Sequence, residues 1–129
     1  MKLRTRPASA LRRKAKRGFR GFPAGTVALY GPTADLATKA AVGIIPSDGA
    51  EPSVLKRWFS EGETDIRHNA EIEREIVAFL VDHGARTVVM TGRVFGCPHE
   101  EGVDYPIGQS CPQCPYWAGR DRFTGTKQH

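Results

Sequence analysis

No stretch of this 129-residue sequence approaches the roughly 20 consecutive apolar residues needed to cross a bilayer. No apolar segment near its start has the form of a secretory signal. These two absences predict a cytoplasmic protein without a membrane partner. Cysteine is scarce and odd in number: three residues, all inside the window 97–114. Such clustering fits a reducing compartment, where thiols serve as ligands rather than as disulfide partners. Also missing are the GxSxG nucleophile elbow, the phosphate-binding P-loop and the dinucleotide glycine pattern, which leaves the common hydrolase, NTPase and dehydrogenase readings without a motif.

Acidic residues are absent from the first 20 positions, which hold nine basic ones: Lys2, Arg4, Arg6, Arg12, Arg13, Lys14, Lys16, Arg17 and Arg20. The chain carries a net charge of +5, and removing those nine leaves ten basic against 14 acidic residues in the body. The charge pattern is therefore that of an acidic globule with a basic arm over residues 1–20. Like charges repel along such an arm, and it is expected to stay flexible until it meets a polyanion, nucleic acid above all. A solvated tail or an organelle-targeting segment has the same composition. Within the arm, residues 9–17 are good helix formers, yet too few and too alike in charge for an isolated helix.

Residues 18–25, GFRGFPAG, read as a hinge into the body. Two short apolar runs, 26–30 and 39–45, are bounded by glycine and proline and predict an antiparallel pair of strands, the second lying centrally. After the turn at 47–52, Val54, Leu55, Trp58 and Phe59 recur at helical spacing and predict a first helix. Asn69 is placed to cap a second helix with Glu71 and Glu73 in its first turn. Ile72, Ile76, Phe79 and Leu80 form its buried stripe, and Gly84 ends it. Residues 87–91 give a third strand, reached by a crossover and so parallel to one of the first two. The expectation is an α/β (α+β) domain over 21–96, a small mixed sheet in the order β-β-α-α-β with helices on one face.

The densest chemistry lies in Cys97-x-His99 and Cys111-x-x-Cys114. Two close ligand pairs joined by a short loop are what a tetrahedral ion requires, so Cys97, His99, Cys111 and Cys114 are read as a structural zinc site ordering residues 97–123. In an extended chain the side chains of Cys97 and His99 point the same way and can share one ion. Three reduced core thiols without a metal are the plainer reading. Residues 124–129 are polar and expected to fray.

The CPQC run at 111–114 resembles half of a zinc knuckle, the CPxC turn of zinc-ribbon proteins, which implies thiolate ligation of zinc. It departs from that pattern at Pro115, where a glycine commonly follows, and in its first pair, which is C-x-H. The longer stretch GCPHEEGVDYPIGQSCPQCPYW is similar to one found in a family of small bacterial proteins, a resemblance that implies a bacterial source and no activity. The letters His99-Glu100-Glu101 with Cys111-x-x-Cys114 also match the zinc deaminase signature, with Glu101 as proton shuttle. The eleven residues between His99 and Cys111, which include Gly102, Pro106 and Gly108, leave no room for the helix and strand that signature needs.

Beyond the cluster, Trp117, Arg120 and Arg122 mix aromatic and cationic groups as a surface stacking on unpaired bases would; alternatively, Trp117 covers the metal loop. Together these features predict a zinc-stabilised nucleic-acid-binding accessory protein without catalytic activity, RNA slightly favoured. The rival readings are a protein-interaction adaptor with structural zinc and, more distantly, a zinc-dependent hydrolase or deaminase-like enzyme.

Overall fold

The apolar runs between glycine and proline breakers fold into strands. In a computed structural model, which describes residues 10–100, 102–109 and 111–118, they are β1 (Ala24–Tyr30), β2 (Lys39–Ile45), β3 (Val54–Phe59) and β4 (Thr87–Val94). Two helices accompany them, α1 (Ala10–Lys16) and α2 (Ala70–Asp82), with short 3-10 turns at Ile66–His68 and Pro115–Trp117. The strand order is β3-β2-β1-β4. β1 runs antiparallel to β2 and parallel to β4, and β2 runs antiparallel to β3. The result is the mixed α+β domain that the sequence predicts, with the hairpin, the interior second strand and the parallel crossover strand all in place.

One element is corrected. Residues 54–59 form the edge strand β3, where the spacing predicts a helix. The alternation of a strand sends Trp58 into the core while Leu55 and Phe59 stand outward at 48% and 61% exposure. Six residues between breakers carry too little periodicity to fix their own conformation, and the free edge of β2 decided it by offering backbone partners. Trp58 is then held edge-on to Phe79, with ring centroids 5.7 Å apart, and its indole N–H donates to Glu75 Oε1 at 2.9 Å.

Helix α2 follows its sequence signals closely. The Asn69 side chain accepts from the Ile72 amide at 2.9 Å, Ile76 and Leu80 are buried, and Gly84 takes the left-handed conformation after the helix. The helix sits tightly on the sheet because Gly25 has no side chain: a Cβ there would overlap the Leu80 methyl group. The resulting core gathers Val27 and Leu29, Val42 and Ile44, Trp58, Val88, Ile76 and Leu80 on one face of the sheet.

The basic leader behaves differently from a free arm over the residues described. α1 buries Leu11 in that same core, with Ala15 packed against it. The Leu11 amide donates to Glu73 Oε2 at 3.1 Å, so α2 supplies the acidic partner that the leader itself lacks. Leu11 and Ala15 stand four residues apart on one side, which is enough for a docking edge while Arg12, Arg13, Lys16 and Arg17 remain exposed. The following hinge is pinned to the start of β4, where buried Thr87 Oγ1 accepts from the Arg20 amide at 2.8 Å and donates to Gly21 O at 2.6 Å. Arg4 and Arg6 lie outside the described residues.

A second fastening lies between β2 and α2. Asp65 accepts from the Ala37 and Arg67 amides at 3.0 and 2.9 Å and pairs with the Arg67 guanidinium at 2.7 Å. Arg67 in turn donates to the carbonyls of Gly92 and Asp35. With the Arg67 side-chain bond as its main cause, the Asp65 carboxyl is held far below the usual carboxylate range, and burial only partly opposes this.

The face of the sheet away from α1 and α2 presents cross-strand rows. Tyr30, Lys39 and Phe59 stand opposite one another, and the next row is Ala28, Ala41 and Arg57. Among the described residues no helix is long and apolar enough to cross a membrane.

Candidate metal centre

The end of the β1–β4 pairing delivers the first ligands. Beyond β4 the Phe95 amide donates to Leu29 O at 2.7 Å, and the Gly31 amide donates to Gly96 O at 2.8 Å. Cys97 therefore emerges at a position set by the sheet. The chain then folds back through turns: the Glu100 amide donates to Asp104 Oδ2, the Asp104 amide to Glu100 O, and the Gly102 amide to Tyr105 O, each at 2.7 Å. The second pair lies on the CPQC turn, closed by the Cys114 amide donating to Cys111 O at 3.3 Å.

The four side chains converge. Ligand atoms of Cys97, His99, Cys111 and Cys114 all lie within 4.8 Å of one another. The imidazole approaches through Nδ1, which stands 3.2, 3.4 and 3.5 Å from the sulfurs of Cys97, Cys111 and Cys114. Bond lengths of about 2.3 Å to sulfur and about 2.0 Å to nitrogen, spread tetrahedrally, place ligand nitrogen and sulfur roughly 3.5 Å apart. The cluster fits a single ion at its centre. The His99 amide donates to Cys97 Sγ at 3.2 Å, a contact that favours thiolate.

All three cysteines are buried, none is in a disulfide, and Tyr105 is buried against them. Burial is the main reason that the Cys97 and Cys114 thiols sit above their ordinary pKa; the sulfurs of Cys114 and Cys111 add to it at Cys97, whereas at Cys114 the contact with Cys97 opposes it and Cys111 adds to it. A divalent cation reverses that balance, because it coordinates the thiolate directly. Residues 102–109 form turns with no helix or strand, which is not the setting of the deaminase signature, and Glu101 lies outside the described residues.

The loop is tied to the sheet by residues that sequence reasoning did not single out. Lys39, at the head of β2 and only 4% exposed, donates from Nζ to Pro98 O at 2.9 Å and to Glu100 Oε2 at 2.8 Å. Arg57 on β3 reaches the same carboxylate, with Nη2 3.2 Å from Oε1. Lys39, before Arg57, keeps the Glu100 carboxyl below its ordinary range. A charged residue opening an otherwise apolar strand, KAAVGII, was the available signal.

Trp117 is half-buried between the sheet core and the cysteine cluster, and its indole N–H donates to Gly31 O at 2.8 Å. The structure thus places it as a cover joining loop to sheet. Arg120 and Arg122 lie outside the described residues. Of the basic positions in the leader, Arg12, Arg13, Lys16, Arg17 and Arg20 are exposed and Lys14 is half-buried. Comparison with family models, with curated proteins and with solved structures gives no match.

Proposed function

We propose that the protein is a zinc-stabilised, non-catalytic accessory factor that binds nucleic acid, RNA slightly favoured. Three sulfurs and one imidazole nitrogen in tetrahedral reach suit zinc, since soft thiolates disfavour magnesium or calcium. Four protein ligands complete that ion's coordination and leave no position for a reacting water, so the metal's role in this reading is structural.

The observation that carries nucleic-acid binding is the docked leader helix. Leu11 anchors α1 in the core while Arg12, Arg13, Lys16 and Arg17 are turned to solvent. A helix already seated on the fold loses less entropy on meeting a phosphate backbone than a free arm would. Arg4, Arg6, Lys14, Arg20, Arg120 and Arg122 add to the same cationic account in this reading, and Trp117, half-buried, would meet an unpaired base only with the part of its ring that stays exposed. Polyanion contact of this kind is salt-sensitive and only weakly sequence-selective.

The test is a titration of single-stranded RNA and duplex DNA at two salt concentrations. The proteins are the wild type and a variant with Arg12, Arg13, Lys16 and Arg17 changed to Gln. The expected result is a fall in the salt dependence of log K by roughly three for the RNA. Equal affinity and equal salt dependence in the two proteins would remove the helix from the reading.

A protein-interaction reading has its own observation. Leu55 and Phe59 on β3 and Val89 on β4 are exposed, on strands whose other side chains build the core. It predicts that nucleic acid fails to bind at any salt concentration.

A further inference from the structure

Lysine is rarely as buried as Lys39 unless a specific partner holds it, and here the partners belong to the metal loop. Its Nζ donates to the carbonyl of Pro98, the residue between the ligands Cys97 and His99, and to the carboxylate of Glu100, the residue after them. On the sheet side it sits between the rings of Tyr30 and Phe59, 5.6 and 5.8 Å from their centroids, which are tolerant of a cation. Arg57 shares the Glu100 carboxylate, so two cations meet one anion and a single positive charge is left over. Three thiolates and a neutral imidazole around a divalent ion carry one negative charge. The two surpluses are equal and opposite, and Lys39 lines the same groove as Cys97 and His99.

We propose that Lys39 is the positioning residue of the metal centre: its ammonium offsets the centre's negative charge and, through Pro98 O, holds the Cys97–His99 chelate against β2. This inference rests on the metal reading and is independent of nucleic-acid binding. It assigns opposite effects to the two charges of one ion pair. Removing the cation weakens metal binding, whereas removing the Glu100 anion leaves the Lys39 contact to Pro98 in place and raises the local positive potential.

Zinc affinity is measured by competition with a chromophoric chelator, and cobalt is used to read thiolate coordination by its absorbance. The proteins are the wild type, Lys39→Met, Glu100→Gln and Arg57→Gln. Losses on removing an outer partner of a metal site run to about 10–100-fold, and Lys39→Met is expected in that range. Arg57→Gln is expected to weaken zinc by a smaller factor, and Glu100→Gln to bind zinc at least as tightly as the wild type. A merely mechanical tie would make Glu100→Gln and Lys39→Met weaken zinc alike, and that result overturns the proposal, as does wild-type affinity in Lys39→Met. Should Lys39→Met fail to fold by circular dichroism, the weakening expected of Arg57→Gln and its absence in Glu100→Gln decide the matter. A wild-type protein that takes up neither ion removes the metal reading itself, an outcome distinct from all of these.

Discussion

Between the sheet and α2, Val27, Leu29, Val42, Ile76 and Leu80 meet in one continuous buried surface. Between Cys97 and Ala118 the buried groups among the described residues are three cysteines and Tyr105, and the aliphatic side chains Val103 and Ile107 point outward. The sheet region is held by apolar burial spread over many side chains, each replaceable at moderate cost. The loop has no such reserve. It is held at a few points: four ligand atoms converging on one position, the indole of Trp117 on Gly31, and Lys39 on Pro98 and Glu100. A chain segment rich in turns can be given one shape by coordinate bonds where hydrophobic contacts are too few to order it.

The strongest way to break this contrast is to withdraw any metal held by the four ligand side chains. Structural zinc in small peptides contributes apparent free energies of about 10–16 kcal/mol near neutral pH. Stripping with a chelator, or Cys114→Ser, is expected to abolish amide-exchange protection in 97–118 while β1, β2 and α2 stay protected. Simultaneous loss of protection in both regions would show that the loop and the sheet are one cooperative unit.

A smaller effect is expected from the opposite side. Leu80 is among the most completely buried side chains and nests over Gly25. Leu80→Ala is expected to lower unfolding free energy by about 2–5 kcal/mol in urea titrations. Its zinc affinity should match that of the wild type wherever the protein is folded.

The smallest effect sharpens the comparison through pH. The Asp65 carboxyl is depressed in the folded state, chiefly by its bond to Arg67, so it binds a proton less readily there than in the unfolded chain. Its stabilisation is therefore complete above the unfolded value of about 3.9 and is lost as pH falls through that value toward the lower folded one. Asp65→Asn is expected to cost about 2 kcal/mol at pH 7, in line with breaking a largely buried charged hydrogen bond. Urea titrations at pH 7 and pH 3 should show the gap to the wild type narrowing in acid. A gap of equal size at both values would assign the loss to altered packing rather than to charge.

Legibility in the sequence differed between the same two regions. The ligand quartet could be read directly, because residues two or three apart on a turn are neighbours whatever the rest of the chain does. The hairpin, β4 and the capped α2 were legible for the same reason: Gly31-Pro32, Asn69 and Gly84 act on their immediate surroundings. The strand at 54–59 was not, since Val54, Leu55, Trp58 and Phe59 satisfy a helical spacing as well as a strand. Nor was the seat of α1, whose single buried leucine depends on Glu73, 62 residues away along the chain.

The sequence by itself determined which four side chains can share an ion, where charge concentrates and that the runs at 26–30, 39–45 and 87–91 become strands, because each rests on spacing within a few residues. Tertiary structure alone decided that Nδ1 faces the sulfurs, that residues 54–59 complete the sheet, and that Lys39 reaches Pro98 across 59 residues of chain. Those outcomes depend on which distant backbone offers a partner or excludes water, and no local pattern encodes that.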